Sequence, residues 1–250
     1  MKKKAYLMKP ALLLSASAAL LLLSTVGSTR AALTYYSENY AVEVTVSSIG
    51  VSLLENGETV SSRNYDGSQW KESTGELLTG MLKEGEAIVP GRPYEESLSV
   101  ANSGAIDSYV RVNLYRSWQD ANGETDTMLS PELIDLSLNL EGSGWVEDTS
   151  ASTPERLVLY YTKPLLSGQA APAFCDALRI DPAVATKVKE TTVEEHGDHK
   201  TITTTYAYDG YQLKLEAEVD AVQTHNAQDA IKSAWGVDVE VGADGTLRLR

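Results

Sequence analysis

Three histidines are the first residues to consider for metal chemistry. His196 and His199 lie three residues apart behind two glutamates, and His225 is distant along the chain. A zinc-peptidase helix of the H-E-x-x-H type places its two histidines one turn apart with a glutamate between them. Here Gly197 and threonine-rich flanks favour a tight hairpin tip, which can bind a metal adventitiously. We therefore expect no catalytic metal site.

Other catalytic motifs are missing from the sequence. No serine occupies a G-x-S-x-G elbow, no glycine-rich phosphate loop joins a strand to a helix, and Cys175 has no identifiable histidine partner. The sequence has 35 Asp and Glu residues, so a glycosidase-like pair of carboxylates stays an alternative. The simpler interpretation is that the acidic rows on strand faces form a solubilising surface. We expect no catalytic residue, no cofactor-binding residue, no metal ligand and no cofactor.

Charge and cysteine content restrict the partners. The 250-residue chain has a formal net charge of −14, and its first 32 residues carry five basic and no acidic side chains, so the remainder has a net charge of −19. This charge argues against nucleic acid and anionic lipid as partners, and ordered association then depends on backbone or apolar contacts. The single cysteine, Cys175, cannot form an internal disulfide and is predicted to be a small buried apolar group.

The first 32 residues have the pattern of an export signal. A basic start at residues 2–4 precedes an apolar run over residues 11–26, which small residues close. This run is shorter than the roughly 20 residues that span a bilayer. The pattern predicts cleavage between Ala32 and Leu33 by a signal peptidase, no stable membrane span afterwards, and a secreted protein at the cell surface or in the extracellular matrix.

Alternation of apolar and polar residues dominates the rest of the chain and predicts an antiparallel β-sandwich. The clearest strand begins at Tyr211, and one of its faces continues with Leu213, Leu215, Ala217 and Val219. The dipeptide Asp209-Gly210 precedes it and suits a type I′ turn, so residues 200–208 are predicted to pair with it as a hairpin.

Helices are few in the predicted fold. Asn226 is a candidate cap for a helix that ends at Gly236, with Trp235 in the core, and this helix is expected to lie across the sandwich. Weaker helical turns are predicted at residues 130–132 and 181–182. Residues 61–84 and 142–155 are predicted to be long surface loops, and residues 33–250 a single domain.

Aromatic residues offer a second interpretation. Trp70, Trp118 and Trp145 lie in or beside predicted loops, and an exposed ring of them would favour a monomeric surface adhesin or binding module. Thirteen tyrosines accompany a single phenylalanine, and the pair Tyr160-Tyr161 is a candidate interface anchor. The simpler interpretation is the ordinary composition of a β-sheet.

Several separated segments resemble the TasA/camelysin family of surface and biofilm-matrix proteins. They are the small-residue region before Tyr35-Tyr36, the succession of Pro90-Gly91, a strand, Asn102-Ser103-Gly104 and Tyr109-Val110-Arg111-Val112, and the closing stretches 218–223 and 230–237. The resemblance implies an all-β, jelly-roll-like antiparallel β-sandwich with one or two short helices. It also implies a hairpin around residues 102–104 and assembly into extracellular fibres.

The resemblance leads to a hypothesis of strand donation. Residues 33–46 would leave their own fold and complete a sheet in another copy or in a related β-sandwich subunit. The candidate donor residues share one parity: Tyr36, Tyr40, Val42, Val44 and Val46. Alternatives are an ordinary first strand, a monomeric adhesin, or a secreted metallopeptidase of the camelysin kind, although no position matches a metal-binding protease motif.

Overall fold

The computed structural model describes residues 48–250 except 66, 84–85 and 197–198, with backbone alone for the rest of 194–201. The expected export signal, the cleavage site at Ala32 and Leu33, and the candidate donor residues lie outside the described residues. The described elements, in chain order, are β1 (Gly50–Glu55), β2 (Glu58–Tyr65), β3 (Trp70–Ser73), β4 (Pro93–Ala101), β5 (Ser108–Gln119), β6 (Ile134–Leu138), β7 (Trp145–Glu147), β8 (Arg156–Tyr161), β9 (Cys175–Ile180), β10 (Val188–His196), β11 (His199–Tyr206), β12 (Gln212–Gln223), α1 (Ala227–Trp235), β13 (Val239–Val241) and β14 (Leu247–Leu249).

Two antiparallel sheets of unequal width form a β-sandwich. The larger sheet has the order β3-β2-β1-β4-β9-β6, and the smaller has the order β12-β5-β8-β7. The chain passes several times from one sheet to the other: β4, β6 and β9 lie in the larger sheet, and β5, β8 and β12 lie in the smaller sheet. The prediction of an all-β antiparallel sandwich with one or two short helices is confirmed, and the described residues contain one short α-helix.

The core lies between the sheets and follows the alternation of the sequence. Val110, Val112 and Leu114 of β5 are buried against Leu98 and Val100 of β4. Each such aliphatic side chain contributes about 1.5–3 kcal/mol when it is fully removed from water. The polar residues of β5 and β12 between these positions face outward, so the period of two fixes which face is buried.

The hairpin predicted around Asp209-Gly210 is wrong. β12 pairs with β5 along its whole length, from Gln212 opposite Gln119 to Gln223 opposite Ser108. β11 pairs instead with β10, and these two strands form a separate two-stranded sheet. A turn signal reports the local backbone, and it does not decide which strands pair beyond the turn.

Two further expectations about connections need correction. The predicted loop 61–84 contains the end of β2 and all of β3, and the predicted loop 142–155 contains β7. These short strands lack an apolar alternation because they carry many polar residues. The implied hairpin at residues 102–104 is instead a crossing between sheets, held by the buried Asn102, whose amide donates to the carbonyls of Ile106 and Leu165.

The helix α1 is confirmed, with Gly236 at its end at φ +73°. Asn226 does not cap it, because its backbone is left-handed and its side chain donates to the carboxylate of Asp229. The helix packs outside the smaller sheet in a second apolar cluster, where Trp235 is half-buried against Tyr160. The helical turns near residues 131 and 182 are both 3-10 turns.

Candidate functional site: a groove beside strand β12

The unequal width of the sheets leaves one strand edge open. Beyond β1 the larger sheet continues through β2 and β3, whereas the smaller sheet ends at β12. Among the described residues, β12 therefore has a strand partner only on its β5 side. Twelve residues of regular antiparallel strand thus present a row of backbone N–H and C=O groups on the other side.

A groove follows the inner side of this open edge. Its main part has a volume of about 860 Å³ and is lined by Leu213, Leu215 and Ala217 of β12. Leu53 of β1 and Ser61 of β2 lie opposite these residues. A second part of about 220 Å³ continues beside Val219 of β12. Both parts adjoin the same strand, so the groove runs along β12, and buried core residues such as Trp118 and Ile180 form the floor of its main part.

The wall segment, residues 74–82, closes the outer side of the main part. It contributes Leu77, Leu78 and Met81, which pack against the core. The backbone N–H of Leu78 donates to the carboxylate of Glu55 at 2.7 Å, and Leu78 has φ +66°. A left-handed conformation is unfavourable for a bulky L-residue, so the hydrogen bond to Glu55 holds a strained wall in place.

Both parts of the groove are mostly apolar, and charged residues line each of them. The second part contains Arg63 of β2, Glu72 of β3 and Glu218 of β12. Arg63 donates to the Glu72 carboxylate at 2.9 Å, and its guanidinium lies 4.5 Å from the ring centroid of Trp70.

Buried carboxylates lie close to the wall segment on the larger sheet. Glu96 of β4 is 3% exposed and accepts a hydrogen bond from the Asn56 amide at 2.9 Å. Burial, assisted by the neighbouring Glu55 carboxylate, raises the pKa of Glu96 despite the opposing effect of the Asn56 hydrogen bond.

The ring of exposed tryptophans that would favour an adhesin does not form. Trp118 and Trp145 are buried in the core, and only Trp70 of the three is exposed, at 48%. Tyr160 and Tyr161 are buried as well, so they are not surface anchors. Trp118, Trp145 and Tyr161 belong to the sandwich core, whereas Tyr160 lies on the other face of β8 against Trp235 of α1.

The residues considered for metal or thiol chemistry stay separate. Within the described part of the chain, no group of three or more His, Cys, Asp or Glu side chains could hold a metal ion. The side chains of His196 and His199 lie outside that part. Cys175 is buried as predicted, and its burial raises the pKa of the thiol to about 11.

Comparisons with protein-family models, with curated proteins and with solved structures found no match. Across residues 48–250, apart from the gaps given above, no helix has the length and apolar character needed to cross a membrane. The groove beside β12 is therefore interpreted from its own geometry.

Proposed function

We propose that this chain is a non-enzymatic extracellular structural subunit that assembles into fibres by strand addition. The observation that carries the proposal is the open edge of β12 with an apolar groove beside it. An extended segment laid along this edge would satisfy its backbone groups, and every second side chain of the segment would enter the groove.

The sequence of β12 favours pairing of its open edge with another strand over protection of that edge. Soluble proteins protect exposed strand edges with prolines, bulges or inward-pointing charges. β12 contains no proline, its pairing with β5 shows no register shift, and its charged residues Lys214, Glu216, Glu218 and Asp220 lie on the outward parity. The net charge of −14 disfavours nonspecific association, so such an edge is suited to one specific partner.

The donor proposed for the groove is the segment at residues 33–46. The chain crosses repeatedly between the two sheets from β4 onward, and this crossing supports the resemblance to the TasA/camelysin family. Export and removal of the first 32 residues would then free the donor segment. Maturation and assembly would be coupled in this way.

Truncation of the donor segment tests the proposed function. A chain that begins at Leu33 is expected to form filaments visible by electron microscopy, whereas a chain that begins at Ala41 should remain folded but monomeric. Among the described residues, the buried part of the main core begins at Val51, so the shorter chain keeps the core described above. Sedimentation and circular dichroism distinguish the outcomes: a shorter chain that polymerises like the longer one contradicts the proposal.

Point variants in the chain that begins at Leu33 provide a matched pair for the same measurement. Val44→Asp should prevent assembly because it brings an unpaired carboxylate into the groove, at a cost of several kcal/mol. Glu43→Lys changes the neighbouring residue of opposite parity and should leave assembly intact. Equal behaviour of the two variants would show that the groove does not select one face of the segment.

A further inference from the structure

The wall segment, residues 74–82, is attached to the sandwich by few polar contacts. It follows β3, which ends at Ser73, and it adds no residue to either sheet. Its one backbone hydrogen bond to a described residue joins the Met81 N–H to the Leu78 carbonyl, within the segment itself. Its one hydrogen bond to a described side chain joins the Leu78 N–H to Glu55. The polar attachment of the wall segment to the described sandwich therefore rests on a single hydrogen bond.

Glu55 is a rigidly held acceptor for this hydrogen bond. It is the last residue of β1, where it pairs with Glu58 of β2 and with Leu98 of β4, and it is 9% exposed. Its carboxylate accepts from the backbone of the wall segment at 2.7 Å. A hydrogen bond to a charged acceptor is stronger than one between neutral groups. Glu55 thus acts as a latch that is fixed in the larger sheet.

The backbone conformation of Leu78 opposes this latch. Its φ of +66° lies in the left-handed region, which is unfavourable for a leucine. Leu78 can return to an ordinary backbone conformation once the hydrogen bond to Glu55 is broken. The wall segment is therefore kept in place by one strong hydrogen bond and by three half-buried apolar side chains, and backbone strain acts against them.

The wall segment and the open edge of β12 adjoin the same cavity. Leu77, Leu78 and Met81 line the main part of the groove on one side, and Leu213 and Leu215 of β12 line it on another. Among the described residues, no hydrogen bond joins the wall segment to β12. Movement of the wall segment away from the sandwich would therefore widen the approach to β12 without breaking any described strand pairing.

We infer that the wall segment is a movable cover of the groove and that the hydrogen bond between Glu55 and Leu78 is the latch that keeps it closed. Opening exposes the floor of the groove, where Trp118 and Ile180 lie. The role of this movement in assembly rests on the proposed function. A donor strand reaches β12 when the wall segment is open, and apolar side chains of the donor replace the contacts that the wall segment gives up.

Gly75 provides a second way to displace the wall segment. A Cβ atom added to this glycine would overlap the carbonyl oxygen of Val60 in β2. Because that oxygen belongs to the backbone of a strand, Gly75→Ala should push the start of the wall segment away from β2. Gly80 has open space around it, so Gly80→Ala changes the wall segment without displacing it.

Hydrogen exchange tests the latch directly in monomer isolated from the chain that begins at Leu33. Glu55→Ala should raise the exchange rate of the latched amide roughly tenfold or more, because a hydrogen bond to a charged group is lost. Glu55→Gln keeps an oxygen acceptor and should give an intermediate rate, and Gly75→Ala should also raise the rate. Glu58→Ala removes an exposed carboxylate directly opposite Glu55 and should leave the rate unchanged, as should Gly80→Ala.

Dye binding and filament growth report what the movement exposes. Anilinonaphthalene sulfonate fluoresces on exposed apolar surface, so its fluorescence should rise with Glu55→Ala and Gly75→Ala but not with Glu58→Ala or Gly80→Ala. Light scattering follows filament growth. The rate of growth should rise in the first two variants by about the same factor as the exchange rate, because donor entry uses the open population.

The outcomes separate this inference from the proposed function. Unchanged exchange of the latched amide in both Glu55→Ala and Gly75→Ala overturns the inference, whatever the filaments do. Faster exchange that extends through β1, β2 and β4 in both variants overturns it too, because the sheet and not the wall segment would then have opened. Faster exchange of the wall segment alone, with unchanged filament growth, supports the cover and overturns its role in assembly. If the native chain forms no filaments, the proposed function fails, and the exchange rates still decide whether the wall segment is latched.

Discussion

Strands β5 and β12 are neighbours of equal length in the same sheet, yet their surroundings differ. β5 pairs on both sides and has Leu114 fully buried, whereas β12 pairs on one side and has Leu213 half-exposed beside the groove. The same alternating pattern thus serves two purposes. β5 lies in the interior of the smaller sheet. β12 pairs with β5 on one side, and its other side can accept a further strand.

The largest expected effect on stability comes from shortening a buried side chain of β5. Leu114→Ala removes a fully buried side chain from between the sheets, and it should lower the free energy of unfolding by about 2–5 kcal/mol. Urea denaturation followed by circular dichroism measures the loss. A cost similar to that of a surface substitution would mean that β5 does not form the interior of the sandwich.

A smaller effect on folding is expected for the corresponding change at the groove. Leu213→Asp should lower the free energy of unfolding by only roughly 1–2 kcal/mol, because the side chain is half-buried, but it should abolish assembly. Glu216→Gln, on the exposed face of the same strand, serves as the control and should change neither property. If Leu213→Asp unfolded the chain as strongly as Leu114→Ala, the distinction between the two strands would fail.

The smallest expected effect on stability depends on pH, and it concerns the buried carboxylate of Glu96. Burial raises the pKa of Glu96 in the folded chain above 4.5, so the folded state holds the proton more tightly than the unfolded state. This contribution to stability is fully present below the unfolded pKa and is lost as pH rises through the folded pKa.

Glu96→Gln removes that titration while keeping an oxygen for the Asn56 amide. The melting temperature of the variant relative to the native chain should therefore rise between pH 4 and pH 7, whereas assembly at neutral pH should not change. A melting-temperature difference independent of pH would show that Glu96 is not destabilised by its charge. Altered assembly would connect this carboxylate to the groove.

The sequence allowed prediction of the elements whose patterns repeat. The inner face of β12 and the helix ending at Gly236 were both recognised because burial imposes a period of two or of about 3.6 residues. Residues 200–208 were assigned to the wrong partner, because a pattern shows which face is buried but not which neighbour provides the hydrogen bonds.

The groove itself could not be predicted for related reasons. The edge of β12 is open because no described strand lies beside it, and the residues of β12 themselves do not indicate this. The wall segment contains Leu77, Leu78 and Met81, but their spacing has no regular period, and the left-handed backbone at Leu78 is set by the bond to Glu55. The apolar residues within the predicted loop 61–84 were the available signal.

The separate sheet of β10 and β11 has a consequence for experiments on this protein. Its exposed Val193 and Ile202 lie opposite each other, at 49% and 62% exposure, and the pair of strands does not join either sheet of the sandwich. A two-stranded hairpin is marginally stable on its own, so its amides should exchange with solvent while those of β5 stay protected. An exposed position on β10 or β11, such as Val193, is therefore a suitable place to attach a fluorescent label without disturbing the groove.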